Sequence, residues 1–449
     1  MTLSTSLWSP RLQNTPDPIY VRIANAVERD VQTGILVAGS QLPTHRRLAH
    51  DLGITPVTVT RAYAEAARRG LVESATGRGT FVRTSRREIV IAHDVDMATN
   101  MVTIPIPTPT TATLLRAAAT MTTGYGVGPG SERHRSAGAA WVAQTTGRRS
   151  DPSRIIVTAG TQHALFLALA ATTKPGDVVL SDNVTYHGAK AVAALLHIRL
   201  EPLPMDRFGI LPDALERAAR ARNARVVYTI PTLQNPTGIV MPEKRRREIA
   251  AAAEQHGLTI IEDDVCGFLV PDPPPPIAAI APDRTIFITG LGKAIAGPMR
   301  IGYVSAPESW IPRLQSSHAA SILFASPILA ELAATWIEDG TASRMAATRR
   351  DEIVLRGRIA RRILGKRATA DVRSSHLWVE LPKRWTADSF AEEARRRRVR
   401  VASASSFAVG DDVPRAVRVS IGAPATVGEM ETALNILAAI DEERSETVV

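Results

Sequence analysis

VVYTIPTLQNPTGIVMP (226–242), LTIIEDDVCGFL (258–269) and IFITGLGKAIAGPMRIGY (286–303) decide how this chain folds. Each opens as an aliphatic, β-like run and breaks at its carboxyl end into polar or glycine-rich sequence. In open α/β sheets, ligands gather at those carboxyl ends. The residues placed there have defined chemical uses. Asn235, in Asn235-Pro236-Thr237-Gly238, can donate to a phenolate-like oxygen. Asp263, just beyond an apolar strand, is poised to pair with a cationic ring nitrogen. Lys293 sits between glycines in a chain with six lysines, which makes it a candidate Schiff-base lysine, and Arg300 is a candidate phosphate clamp. Upstream, TAGTQHAL (158–165) reads as a strand ending in small residues that opens a helix, so Gly160, Thr161 and Gln162 offer free N–H groups to a phosphate. Taken singly, 235–238 also reads as an Asn-Pro turn and 158–165 as an ordinary α/β turn.

Around these runs, further β-like segments at 154–158 and 178–180 alternate with Ala/Leu-rich helical stretches, which implies a mainly parallel sheet covered by helices. The stretches 372–381, 399–401 and 417–421, separated and closed by helices, read as a smaller α+β lobe over about 305–449. Residues 84–104 read as a linker, charged and then Pro/Thr-rich, so the large domain is expected over 105–449.

The N-terminal 83 residues differ in kind. PIYVRIANAVERDV (18–31) has apolar residues at helical spacing behind a proline. THRRLAHDLG (44–53) reads as a capped short helix stopped by Gly53, and TPVTVTRAYAEAARRG (55–70) as a second helix after a tight turn. Two β-like segments around Ala75-Thr76-Gly77-Arg78-Gly79 form a hairpin. This is a winged helix-turn-helix. A recognition helix presents small polar and basic side chains to base edges and phosphates. Thr44, Thr55, Thr58, Thr60 and Arg61 are candidates, with Arg46 and Arg47 for phosphates and Arg78 at the wing tip.

Composition agrees. With 45% hydrophobic and 22% charged residues, the 449-residue chain is globular and long enough for several domains. Residues 1–90 hold 12 arginines against 7 acidic residues, so one fifth of the chain carries half of its net +10. That bias suits a polyanion partner, although a general preference for arginine over lysine would produce it too. One cysteine, Cys266, excludes a disulfide framework or a Cys-rich metal site, and no metal is expected. No apolar run is long enough to span a bilayer, and MTLSTSLWSPRLQ lacks the features of a signal peptide, so a cytoplasmic protein with no membrane partner is expected.

LPTHRRLAHDLGITPVTVTRAYAEAARRGLVESATGRGTFV (42–82) resembles the DNA-binding domain of GntR-family regulators almost throughout. The order phosphate turn, NPTG, Asp, Lys, Arg resembles the fold-type I, class I/II aminotransferase domain, which binds pyridoxal 5'-phosphate (PLP). The pair together resembles MocR-type regulators. The resemblance implies that Lys293 carries the Schiff base, Asp263 faces the pyridinium, Asn235 donates to the ring hydroxyl and Tyr186 stacks on the ring. It further implies that Tyr125 reaches the partner subunit's phosphate, and that Arg418 grips a carboxylate bidentately. A multidomain homodimer follows, domain-swapped or not, with a winged helix-turn-helix head and an α/β fold-type I body. Its implied partners are a double-stranded DNA operator and an amino-acid or amine effector.

Relatives usually carry tyrosine where Cys266 stands, and serines where Gly290 and Gly292 stand. Those departures remove contacts to PLP. The leading reading is a transcriptional regulator that senses PLP or an amino compound. Two alternatives stay open: an active aminotransferase with a DNA-binding head, and a regulator whose body has lost tight PLP binding and serves dimerisation.

Overall fold

A computed structural model describes residues 8–13, 15–33, 35–36, 39–75, 79–82, 93–101, 103, 115, 118–119 and 128–443. The chain forms two compact units, Met1–Val90 and Ile91–Val449. Tyr125 and Arg78 lie outside the described residues.

In the head, a helix over Ile19–Gln32 follows Pro18 and buries Ile23, Ala26 and Val27, as their spacing requires. The helix His45–Leu52 starts at Thr44, whose Oγ1 accepts from the Arg47 N–H at 3.3 Å, and ends at Gly53 with φ 63° and ψ 33°. Only glycine reaches that left-handed turn without a Cβ penalty. The helix Pro56–Arg68 begins with Thr55 as its cap and Pro56 in its first turn. Its buried Tyr63 donates to the Pro43 carbonyl at 2.8 Å, locking the turn against the helix. Strands Val72–Ala75 and Gly79–Val82 pair antiparallel and close a core of Leu48, Val59, Val72 and Val82.

The body is built on a seven-stranded sheet in the order Ile155–Thr158, Gly302–Ser305, Thr285–Gly290, Thr259–Asp263, Val226–Thr229, Val178–Asp182, Arg199–Leu203. Gly302–Ser305 runs antiparallel to both neighbours, and the other pairings are parallel. The central strands are buried on both faces and accordingly lack polar alternation. Helices Thr161–Thr172 and His187–Leu195 pack on one face, and Pro212–Arg222 and Glu243–Gln255 on the other. No helix among the described residues is long and apolar enough to cross a membrane.

The smaller lobe has an antiparallel sheet in the order Ala368–Thr369, His376–Glu380, Ala416–Ser420, Ala402–Ser403. Two boundaries expected from sequence move. The lobe does not begin near 305, because Leu314 packs into the core under the large sheet, as Trp336 and Ile353 do into its neighbour. It begins inside the long helix Thr341–Leu364, where Ala360 and Leu364 join the small-lobe core. Nor does the linker extend to 104. Val95–Asp96 pairs parallel with Val399–Arg400, and Val95 and Met97 are buried in that same core. Two apolar side chains in a mostly polar stretch are enough to recruit it as a strand.

Candidate functional site

The carboxyl ends of strands Val226–Thr229, Thr259–Asp263 and Thr285–Gly290 open into a cavity of about 650 Å³. Its walls include Gly160, Thr161, Gln162, Tyr186, Asn235, Asp263, Cys266, Lys293, Arg300 and Arg418. Residues far apart in sequence thus share one cavity, and every cofactor or carboxylate candidate within the described residues is among them.

One end is built for an anion. Gly160, with φ 85° and ψ 170°, precedes the helix Thr161–Thr172, whose first N–H groups are unsatisfied within the helix. A Cβ on Gly160 would lie 2.9 Å from the Arg300 guanidinium, so its lack of a side chain lets the arginine lie across the turn. A Cβ on Gly302 would meet the Gly160 carbonyl carbon at 2.7 Å and Thr161 N at 2.9 Å. The antiparallel strand therefore presses against the turn and holds it.

The other end is acidic. Tyr228 donates to Asp263 Oδ2 at 2.9 Å, while the buried Asp263 Oδ1 has no hydrogen-bond partner among the described residues. Burial raises the Asp263 carboxyl to about 6, against the pull of the Tyr228 hydrogen bond and Lys293. Burial lowers the Lys293 ammonium and pushes the Cys266 thiol up to about 11, so Cys266 stays a neutral, weak donor at neutral pH. Tyr186 is half-buried, its ring edge-on to His187 with centroids 4.7 Å apart.

Arg418 comes from the small lobe. It donates to Asn235 Oδ1 at 2.7 Å and to the Ala98 carbonyl, and stacks over Phe407 at 4.7 Å. Its Nε is buried with no hydrogen-bond partner among the described residues, and burial lowers the guanidinium to about 10, still cationic at neutral pH. Lys293 Nζ donates to the Asn100 carbonyl. Asn100 is anchored through its amide, which contacts His376 Nδ1 at 3.2 Å and accepts from Ser375 Oγ at 3.0 Å. His376 Nε2 lies 3.0 Å from the Gln234 carbonyl, and burial lowers its imidazole to about 3, so a neutral ring bridges arm and NPTG loop.

An unpartnered buried carboxylate oxygen, an amine and an anion-binding turn in one cavity fit PLP. Asp263 would meet the ring nitrogen, Lys293 the aldehyde, and Arg300 with Gly160 and Thr161 the phosphate. Sequence reasoning passed over Tyr228, Asn100, His376 and Phe407. A phenol inside the aliphatic strand VVYT was a usable signal, because a buried tyrosine needs a hydrogen-bond partner. Asn100 carried none, since its part comes from a backbone carbonyl.

In the head, the Thr44 and Thr55 hydroxyls are engaged as helix caps. Thr58 Oγ1 lies 2.8 Å from Thr55 Oγ1, and Thr60 Oγ1 bonds the Pro56 carbonyl at 3.0 Å. Arg47 pairs with Asp51 at 2.9 Å, while Arg46 and Arg61 are exposed.

The two glycines in serine positions differ physically. A Cβ on Gly290 would lie 2.8 Å from Thr161 Cγ2 and 2.9 Å from the Ile301 carbonyl oxygen, whereas on Gly292 it would meet nothing closer than 4.0 Å. Gly290→Ser should therefore destabilise the body by about 1–3 kcal/mol. Gly292→Ser should stay within about 0.5 kcal/mol of the parent. Urea unfolding checks both, and equal costs would contradict the packing described.

Residues 19–82 match the family of bacterial regulatory proteins, gntR family, and residues 93–437 match aminotransferase class I and II. The chain is 30% identical over 443 residues to the uncharacterized HTH-type transcriptional regulator YdeF of Bacillus subtilis, covering 96% of each. It is 29% identical over 309 residues to the HTH-type pyridoxine biosynthesis transcriptional regulator PdxR of Corynebacterium glutamicum, covering 65% of this chain and 67% of that one. An archaeal alanine:glyoxylate aminotransferase superposes with TM-score 0.72 at 22% identity, over 86% of this chain and 95% of that one, a likeness of fold. The chain belongs to the aminotransferase class I and II family and carries a gntR-family head on the same polypeptide, the domain architecture of the MocR-type subfamily of GntR-family regulators.

Proposed function

We propose that this protein is a cytoplasmic, homodimeric transcriptional regulator whose DNA affinity responds to PLP or to an amino compound taken up with it. The observation that carries the reading is the single cavity joining Lys293, the bare oxygen of Asp263 and the Arg300–Gly160 turn, on a chain that also bears a helix-turn-helix. The regulator names of its relatives support it.

When bound, PLP supplies an amine-reactive aldehyde and an electron-withdrawing ring. The chain's own groups do the rest. Burial favours the neutral amine of Lys293, the form that can act as a nucleophile. Asp263 as a carboxylate would hold a proton on the ring nitrogen, and the Asn235 amide would donate to the ring hydroxyl. Arg418 takes the carboxylate of an amino-acid effector, whose oxygens then replace the Ala98 carbonyl on the guanidinium. By the family resemblance, Tyr125 would serve the phosphate of the partner subunit, so that a dimer would complete each site and present two heads to two half-sites.

Fluorescence anisotropy of the full chain tests this, using duplexes selected by the protein from a random pool. Adding PLP, alone or with a mixture of amino acids, should shift affinity severalfold, and Lys293→Ala should abolish the shift while leaving basal DNA binding. An affinity indifferent to both additions would refute the reading.

On the head, exposed Arg61 is assigned to a base edge and Arg47 to a phosphate. Arg61→Ala should narrow the gap between selected and random duplexes by about 1–3 kcal/mol. Arg47→Ala should weaken both alike and flatten the salt dependence by about one unit of slope. Titrations at two salt concentrations separate the roles, and the opposite pattern would exchange the assignments.

A further inference from the structure

We infer that Tyr228 is a positioning residue for the cavity: its phenol holds Oδ2 of Asp263 so that the carboxylate stays ionised with Oδ1 turned to the ligand. This rests on the PLP reading above. Tyr228 and Asp263 lie on adjacent parallel strands, Val226–Thr229 and Thr259–Asp263. Tyr228 is fully buried and Asp263 is 4% exposed. Their contact is 2.9 Å. Among the described residues no side-chain cation is bonded to either carboxylate oxygen, since Lys293 Nζ donates to the Asn100 carbonyl.

A buried carboxylate without a bonded cation tends to take up a proton, and a protonated Asp263 could not hold a cationic ring nitrogen. The phenol works against that. It donates to the charged form, and its own ionisation is pushed far upward by burial and by Asp263, so it remains a donor throughout the physiological range. Other ionisable groups act on the pair. Asp182 and Tyr186 add to the cost of ionising the phenol, and Lys293 favours the Asp263 carboxylate. The Asp263 charge in turn acts on Asp264 and Cys266. Of these groups, the Tyr228 phenol is the one bonded to the Asp263 carboxylate, and it fixes one oxygen without blocking the other.

Tyr228→Phe removes the hydroxyl and keeps the ring that packs beside Ile261 and Ile286 in the sheet core. Two measurements on the full chain test the role. The first is PLP affinity by visible absorption titration across pH. Tyr228→Phe should bind about tenfold or more weakly, and the pH below which binding fails should rise from near 6. The second needs no PLP. A folded-state carboxyl pKa above its unfolded value contributes stability at low pH that is lost as pH rises through the folded value. In Tyr228→Phe that loss should extend to higher pH, so the variant's unfolding free energy should fall relative to the parent above about pH 6.

The same comparison in an Asp263→Asn background should show no pH-dependent difference. Parent-like PLP affinity with a parent-like pH profile would overturn the inference. So would a destabilisation by Tyr228→Phe that is independent of pH and equally large in the Asp263→Asn background. If the parent binds no PLP yet the pH-dependent difference appears and needs Asp263, the PLP reading fails and the Tyr228–Asp263 coupling stands.

Discussion

A carboxylate buried at the end of a central strand, with one oxygen held by a phenol and the other bare, is the interaction on which the rest of the body depends. Burying a charge is costly unless its acceptors are filled. Among the described residues nothing is bonded to the buried Asp263 Oδ1, at the edge of a cavity whose far end carries a helix N-terminus and Arg300. The cavity is thus polarised, acidic at one end and anion-binding at the other, with Lys293 also in its wall. That polarity matches a ring with a cationic nitrogen and a phosphate. It also accounts for Gly160, Gly290 and Gly302, which leave no room for side chains where the turn, the strand and the arginine meet.

The two lobes of the body share the cavity. Lys293 and Asp263 come from the large sheet, Arg418 from the small one, and Ala98 and Asn100 from the arm whose Val95–Asp96 strand joins the small lobe. In the described structure the arm's backbone carbonyls occupy Lys293 and Arg418, the groups proposed to receive aldehyde and carboxylate.

The head was legible because its signals are local. Thr44, Gly53, Thr55 and Pro56 act within one helical turn, and each does in the structure what its residue type favours. The body's cavity was legible through residues at strand ends, where a polar side chain after an aliphatic run has few other roles. What escaped depends on distant partners. The strand Gly302–Ser305 is short and follows closely on Arg300, so nothing in it announces a reversal of direction. The arm at 95–101 looked like linker because its pairing partner lies far along the chain, at Val399–Arg400. The lobe boundary was misplaced because the helix Thr341–Leu364 serves two cores, and no composition change marks the point where it passes between them. Tyr228 gains its meaning from a carboxylate 35 residues on.

The central claim is that this cavity is a PLP site with Lys293 as its reactive amine. The most direct test is to equilibrate the full chain with PLP, reduce with borohydride and map the modified peptide by mass spectrometry. The chain has six lysines, at 174, 190, 244, 293, 366 and 383. The account predicts stoichiometric labelling of Lys293 alone, at PLP concentrations too low to label the others. Labelling spread over the other five lysines, or none at Lys293 when PLP is in excess, would contradict it.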